Sequence, residues 1–349
     1  MSVNWPKIIT LTDLHFTSAG EQIIGLDTAA RFQQTLTHAL THQSDAVAII
    51  LMGDLTHHGT ADQYARLAKV IMPLDIPVIP MLGNHDRRDM FLAAFPDTDV
   101  TPSGHVQTVV DLPTHRIITL DTYDENADPL HSGWMCGARL AWLDQALADA
   151  EGRMPLVFTH HPPHAVGLPG MDAIALRNGD DLLARLAGSG AHLFSGHVHR
   201  TISGQAQGVP FSMFKSPCHQ APLDLVHLDS TLSVAEPGAY GLLLLGAQGV
   251  IAHSEDVGLG SVPVSGNDAL PEGGTFPSVI EWRTDPLPPR AMPDAGLDLL
   301  RLDIGHPEPA RLSGRLDPLF SDPRVVVAAA PAQSLAALVA TPDGPKWLR

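Results

Sequence analysis

Residues 46–54 read AVAIILMGD, an unbroken apolar run that ends in a glycine and an aspartate. A short apolar run bounded by turn residues is typical of a strand buried on both faces. The same pattern occurs at residues 7–15, KIITLTDLH, and at residues 77–86, PVIPMLGNHD. Amphipathic stretches at residues 28–42 and 61–72 separate these runs and predict helices. The alternation indicates a layered α/β fold with polar residues at the carboxyl ends of its strands.

The alternation continues to about residue 255. Further strands are predicted at residues 106–111, 116–121, 156–159, 191–195, 208–215 and 240–253. Helices are predicted at residues 138–150 and 180–187. We expect the runs at 208–215 and 240–253 to close a second sheet. The predicted fold is therefore a two-sheet β-sandwich flanked by helices.

After about Gly258 the amino-acid composition of the sequence changes. A proline- and glycine-rich stretch contains Pro263, Pro271, Pro277, Pro286, Pro288 and Pro289. Weaker strand or helix patterns follow at residues 299–304, 324–330 and 334–340. We therefore expect a catalytic domain at residues 1–258 and, at residues 259–349, either a small appended domain or an arm that packs on the core or on a second subunit.

Composition limits the classes of function. With 349 residues and 44% apolar content, the chain has ample material for a buried core. Acidic residues outnumber basic ones, 38 to 21, for a formal charge of −17. Proteins that hold long nucleic acids usually present a basic face, so we expect no such partner.

The N-terminus and the cysteines indicate the compartment. Residues 1–10 have no basic region followed by an apolar stretch and a cleavage site, and no run of about 18 apolar residues occurs. Cys136 and Cys218 lie far apart in no metal-like spacing, which argues against a disulfide framework and a thiolate zinc site. We expect a cytoplasmic protein without a membrane segment.

Polar side chains suited to metal binding follow the predicted strands. They are Asp13, His15, Asp54, Asn84, His85, His160, His197 and His199. Taken singly, such an aspartate is commonly a helix N-cap and a strand-end histidine is commonly a surface residue. Ligands in open α/β sheets bind beyond the carboxyl ends of strands, so these side chains are expected to share one crevice.

The types of donor atom limit which metals could bind. Carboxylate, amide and imidazole donors together suit iron, manganese or zinc and do not suit an all-oxygen calcium site. The donors are too many for one ion, and two ions about 3.5 to 4 Å apart could share them if one carboxylate bridges. Alternate residues of an extended segment point the same way, so Asp13 and His15 can face one ion, and so can His197 and His199 if the chain there remains extended.

The ordered motifs resemble those of the calcineurin-like metallophosphoesterases. The matching blocks are Thr12 to His15, Gly53 to Asp54, Gly83 to Asp86, His160, and Gly196 to His199. Within that superfamily the chain is most similar to class III cyclic nucleotide phosphodiesterases and to glycerophosphodiesterases. That closer resemblance rests on features such as residues 53–59, Arg87, and residues 216–220. It covers about residues 5–255.

The resemblance implies a role for each matched residue. One ion would be held by Asp13, His15, Asp54 and His199, and the other by Asp54, Asn84, His160 and His197, with Asp54 bridging. His85 corresponds to the family's non-ligand histidine near the substrate phosphate and is the expected proton donor. His161 is expected to orient His160 or to contact substrate, and His219 to contact substrate.

The implied activity is hydrolysis of small phosphodiesters by a hydroxide that bridges two metal ions. Cyclic nucleotides and glycerophosphodiester-like molecules are the expected substrates. The expected metals are iron with manganese or two manganese ions, with zinc as an alternative. A phosphomonoesterase or nuclease on the same site is the alternative function, and a noncatalytic scaffold is disfavoured because every ligand is retained. We also expect a homo-oligomer.

Overall fold

The computed structural model describes residues 5–259, 296–317 and 321–348. The chain divides into two compact units, Met1–Leu259 and Gly260–Arg349. The proline-rich stretch predicted after Gly258 lies in residues 260–295, outside the described residues.

The first sheet of the first unit combines parallel strands with an antiparallel hairpin. In spatial order its strands are β11 (Gly249–Asp256), β10 (Ala239–Gly246), β1 (Lys7–Leu11), β2 (Ala46–Leu51) and β3 (Val78–Pro80). Strands β1, β2 and β3 are parallel, and β10 runs antiparallel to β1. The expectation that residues 240–253 close the second sheet is therefore wrong. A turn between Gly246 and Gly249 folds this run into a hairpin, and β10 pairs with β1.

The second sheet is also mixed. In spatial order its strands are β4 (Thr108–Asp111), β5 (His115–Thr119), β6 (Met154–Thr159), β7 (His192–Ser195), β9 (Val209–Met213) and β8 (Ile202–Ala206). Strands β5, β6, β7 and β9 are parallel. Strand β8 was not predicted. It forms a hairpin with β9, which is the strand predicted at residues 208–215.

Helices connect the strands of the first unit. They are α1 (Thr28–His42), α2 (Ala61–Ile71), α3 (Arg88–Ala94), α4 (Gly137–Ala148), α5 (Pro169–Asp172) and α6 (Gly179–Leu186). Helix α1 begins where Asp27 accepts a hydrogen bond from the backbone N–H of Ala30 at 3.0 Å, as an N-cap does. The short helices α3 and α5 were not predicted. Within the described ranges, none of the helices is long and apolar enough to span a bilayer.

Apolar side chains on alternate faces of the strands form the layers. Along β1, Ile8 joins the core between the two sheets, where it belongs to the same cluster as Phe158 of the second sheet. Its neighbour Ile9 points to the opposite face and joins Phe32 of α1 and Tyr64 of α2. Helices α4 and α6 cover the outer face of the second sheet in the same way. The predicted two-sheet sandwich flanked by helices is confirmed.

The second unit contains a separate small sheet. Its strands, in spatial order, are β13 (Val325–Ala329), β12 (Asp298–His306), β14 (Ser334–Ala340) and β15 (Lys346–Leu348). Helix α7 (Pro309–Leu316) connects the parallel strands β12 and β13. Its Leu312 and Leu316 pack with Ile304 of β12 in a core of their own. The weak patterns predicted in this region correspond to three of these strands.

Candidate metal centre and cavity

Loops that follow five parallel strands, β1, β2, β3, β6 and β7, carry the predicted metal ligands. These ligands are Asp13, His15, Asp54, Asn84, His160, His197 and His199. All except Asn84 are buried, with at most 8% of their surface exposed. Strands β1, β2 and β3 belong to the first sheet and β6 and β7 to the second, and the carboxyl ends of both sets face the same site, where the side chains converge.

The backbone at these residues is left-handed. The φ angles are 57° at Asp13, 46° at His15, 48° at Asp54, 69° at His197 and 52° at His199. The expectation that an extended backbone aligns Asp13 with His15 is therefore wrong. Each such residue carries strain of about 1–3 kcal/mol, which the surrounding structure must hold. Backbone hydrogen bonds do so here, for example from His15 N–H to the Asp54 carbonyl at 2.9 Å.

Four ligand side chains form what we call the first donor group: Asp13, His15, Asp54 and His199. The Nε2 atoms of His15 and His199 lie 3.1 Å apart. His199 Nε2 is 3.4 Å from Asp13 Oδ1, and His15 Nε2 is 3.7 Å from Asp54 Oδ2. His197 is not part of this group, so the expectation that it faces the same ion as His199 does not hold.

The second donor group consists of Asp54, Asn84, His160 and His197. His160 Nε2 lies 3.0 Å from Asn84 Oδ1 and 3.3 Å from Asp54 Oδ2. His197 Nδ1 lies 2.8 Å from Asn84 Oδ1. The Oδ2 atom of Asp54 is therefore close to both groups, whereas its Oδ1 atom accepts a hydrogen bond from His85 N–H at 2.8 Å. This arrangement suits Asp54 to bridge two ions.

The donor spacing fits bound metal ions. Ligands about 2.0–2.2 Å from one ion are roughly 3.0–3.5 Å from one another, close to the distances within each group. Burial holds the pKa of His15 and His197 well below its ordinary value, so both rings are neutral and can offer lone pairs. Burial also lowers the pKa of His160, but Asp54, Asp13 and the Met52 carbonyl together raise that pKa to about 9. The second group thus attracts positive charge.

Further contacts orient the ligand rings. His160 Nδ1–H donates to the Met52 carbonyl at 2.9 Å, and His199 Nδ1–H donates to the His219 carbonyl at 2.7 Å. Each bond leaves Nε2 as the ring atom that faces the other donors, where it would bind an ion once it is deprotonated. Gly53, with φ at +90°, is needed for close approach because a Cβ there would lie 2.6 Å from the His160 ring.

The loops after β2 and β3 are joined through Asp86. Its buried carboxylate accepts hydrogen bonds from the backbone N–H of Leu55 and Gly83 and from the Tyr64 hydroxyl. Burial and the nearby charge of Asp54 raise the pKa of Asp86 to about 6. The tautomer of His85 is set elsewhere, because its Nδ1–H donates to the His57 carbonyl at 2.9 Å.

The two predicted substrate-binding histidines occupy different environments. His219 lines the cavity beside the donor groups. His161 is fully buried, and its ring nitrogens contact the Thr122 hydroxyl at 2.8 Å and the His131 carbonyl at 3.0 Å. No ring nitrogen of His161 is left for a substrate, so its predicted substrate contact does not fit this geometry. It instead braces the loop that carries His131.

Sequence reasoning gave little weight to His131 and His57. Asn84 Nδ2–H donates to His131 Nδ1 at 3.0 Å, and the His131 ring stacks on His85 with centroids 4.9 Å apart. His57 Nδ1 lies 3.3 Å from His15 Nδ1. Both residues line the cavity. His131 belongs to no sequence motif that could have identified it. His57 could have been noticed because it lies three residues after Asp54, a predicted metal ligand.

The donor groups open into a cavity of about 320 Å³. Imidazole groups form part of its wall, and apolar side chains together with the hydroxyls of Ser230, Thr231 and Ser233 form much of the remainder. No lysine or arginine is among its described lining residues. Arg87 pairs with Asp89 at 2.9 Å and Lys215 with Asp256 at 3.0 Å, and neither is among the described residues that line the cavity.

The chain is similar in sequence to known phosphoesterases. The family model for calcineurin-like phosphoesterases matches residues 6–201. A probable cyclic nucleotide phosphodiesterase of Rhodopseudomonas palustris is 40% identical over 251 residues, which is 71% of this chain and 91% of that protein. A probable glycerophosphodiester phosphodiesterase GpdQ of Arcobacter nitrofigilis is 27% identical, over 72% of this chain and 93% of that protein.

The solved structures agree on the fold. A dimetal phosphatase from Danio rerio superposes with a TM-score of 0.55 at 14% sequence identity. The match covers 72% of this chain and 96% of the phosphatase. At this identity the likeness extends to the sandwich architecture alone.

Proposed function

The chain belongs to the calcineurin-like phosphoesterase family, and from this premise we propose that residues 1–258 form a metal-dependent hydrolase of small phosphodiesters. Cyclic nucleotides and glycerophosphodiester-like molecules are the substrates that we propose. The observation that carries this proposal is the position of Asp54 Oδ2, which lies 3.7 Å from a histidine of the first donor group and 3.3 Å from a histidine of the second.

The chemistry of the donors supports two ions, iron with manganese or two manganese ions, with zinc as an alternative. When bound to these residues, two such ions would stabilise negative charge on a phosphoryl group as Lewis acids and would supply a hydroxide nucleophile. The protein's own contribution is to hold the donors at fixed positions. The left-handed backbone and the Nδ1–H bonds of His160 and His199 achieve this before any substrate binds.

His85 is the residue that we propose as proton donor. Its Nδ1–H is held by the His57 carbonyl, because a carbonyl can only accept. Its Nε2 therefore remains available, and the ring lines the cavity. In the imidazolium form, Nε2 would protonate the departing alcohol oxygen. The stacked ring of His131 restricts rotation of His85, and His219 is proposed to contact the substrate from the cavity wall.

The charge of the cavity supports a diester over a monoester. A diester carries one negative charge, whereas a monoester carries nearly two near neutral pH. Because the described lining residues include no lysine or arginine, only the metal ions and a protonated histidine such as His85 would neutralise additional phosphate charge. The formal charge of −17 likewise opposes binding of long nucleic acids.

The cellular setting and the assembly are part of the same proposal. Both cysteines are free, which suits a reducing cytoplasm. We propose a cytoplasmic homo-oligomer, which light scattering of the purified protein would test.

The function is tested by turnover after reconstitution with manganese. We expect hydrolysis of bis(p-nitrophenyl) phosphate at a kcat/KM well above that for p-nitrophenyl phosphate. A panel of cyclic nucleotides, glycerophosphodiesters and monoesters then identifies the preferred ester. Preference for monoesters across the panel would refute the diesterase proposal, and no hydrolysis of any ester by the metal-loaded protein would refute the hydrolase proposal itself.

A further inference from the structure

The turn at Ile24 and Gly25 has a residue that its backbone does not favour. Ile23 N–H donates to the Leu26 carbonyl at 3.1 Å, and Leu26 N–H donates to the Ile23 carbonyl at 2.8 Å, which closes a two-residue hairpin. The φ angles are 44° at Ile24 and 78° at Gly25. Turns with two positive φ angles favour Asn-Gly, and a β-branched residue in this region is an outlier.

Packing does not explain the isoleucine. Its side chain is 49% exposed, so it gains little of the burial that would offset a strained backbone. Sequences that break a local rule of this kind usually do so at functional positions. The side chain of Ile24 lines the cavity that contains the donor groups. Its exposed apolar surface is therefore available to whatever occupies that cavity.

Other apolar side chains line the same cavity. Met171 and Ile174 come from the segment that begins with α5, and Leu232 comes from the loop between β9 and β10. Leu232 is also 43% exposed. Segments distant in sequence thus supply apolar surface to one concave wall, as binding sites for organic molecules do.

We propose that Ile24, Met171, Ile174 and Leu232 form a subsite for the organic group of the substrate, and that Ile24 determines specificity for planar apolar groups. The inference rests on the proposed function, because the phosphoryl group must bind at the donor groups. An aryl ring or nucleobase would bury far more surface on this wall than a small alcohol would. Because no lysine or arginine is among the described lining residues, we expect no preference for an additional phosphate on that organic group.

The test measures binding of two phosphonates to the manganese-loaded protein by calorimetry, which needs no turnover. Phenylphosphonate and methylphosphonate present the same phosphonate group to the metals and differ in the organic group, and both are measured at a pH at which each is a dianion. We expect the unaltered protein to bind the phenyl compound at least about tenfold more tightly, as expected for an apolar pocket that discriminates by size. The Ile24→Asn variant should lose most of that preference, while its affinity for methylphosphonate should be unchanged.

The turn at Gln207 and Gly208 offers a matched control. It connects β8 and β9, and its φ angles are 49° and 83°. Gln207 does not line the cavity. Asparagine adopts the left-handed conformation readily, so Ile24→Asn and Gln207→Asn should both unfold at a temperature no lower than the unaltered protein. Only the Ile24 variant should change the phenyl preference.

A second pair of variants keeps the test decisive if the Ile24 variant folds poorly. Leu232→Ser should reduce the phenyl preference, whereas Leu228→Ser, in the same loop but not on the cavity wall, should not. Equal affinity of the unaltered protein for both phosphonates would overturn the subsite. Retention of the preference in both the Ile24 and the Leu232 variants would overturn it as well. Failure to hydrolyse diesters would count against the proposed function and leave the binding result to be judged separately.

Discussion

Replacement of Asp54 by alanine tests the central feature of the site. The carboxylate is 2% exposed, and its Oδ2 lies within 3.7 Å of a nitrogen from each donor group. His160 and His85 hold its pKa well below the ordinary value although burial opposes them, so an ionised ligand is removed. Both ions should therefore lose an anionic ligand in a single substitution.

The expected loss of metal affinity can be scaled from the loss caused by milder substitutions. Loss of a residue that only orients a ligand typically lowers metal affinity 10–100-fold. A directly bound carboxylate should exceed this for each ion, so the combined affinity for two ions should fall by more than about 10²–10⁴. After dialysis against a defined manganese buffer, elemental analysis should show the metal content of Asp54→Ala falling from two ions towards one or none. Turnover of bis(p-nitrophenyl) phosphate should fall with it.

Asn84→Ala provides the comparison. Asn84 belongs to the second donor group alone and contributes one neutral oxygen, 3.0 Å from His160 and 2.8 Å from His197. Its loss should weaken one ion and leave the other bound, so the effect should be smaller than that of Asp54→Ala. Two fully occupied ions with near-normal turnover in the Asp54 variant would refute the reasoning.

Four further outcomes are expected. His85→Ala should slow an alkyl diester by about 10²–10⁴ and a nitrophenyl diester clearly less, with metal content unchanged; equal losses would contradict proton donation. His131→Ala should weaken one ion about 10–100-fold, measured by metal titration, because it releases the Asn84 amide. Burial lowers the pKa of His192 to about 4 from its ordinary value of 6.5. As the pH falls from 6.5 to 4, the unfolded chain therefore binds a proton at this residue before the folded protein does, and the folded protein loses stability. His192→Gln should therefore flatten the pH dependence of the thermal midpoint between pH 4 and 6.5, and the pH dependence above pH 7 should be unchanged. A chain that ends at Gly258 should still bind two ions in the same titration, because residues 259–349 contain none of the predicted ligands.

Much of the fold and of the site could be predicted from the sequence. Apolar runs that end in glycine and a polar donor are local patterns, and the carboxyl ends of parallel strands meet at one edge. The convergence of Asp13, Asp54 and Asn84 was therefore predictable without coordinates. Metal binding selects residue types whose combination can be recognised in a sequence, which is why the donor set as a whole indicated a mixed nitrogen and oxygen site.

Other features depended on the tertiary structure. The hairpin of β10 and β11 joins the first sheet because β10 pairs with β1, a contact between residues far apart in sequence. The left-handed φ at His15 is held by Asp54 across two loops, and no local pattern encodes it. The contact of His131 with Asn84 and the position of Ile24 on the cavity wall both depend on the packing of loops that are distant in sequence. Local periodicity thus determined the strands and their donors, whereas pairing and loop packing, which are non-local, decided what surrounds them.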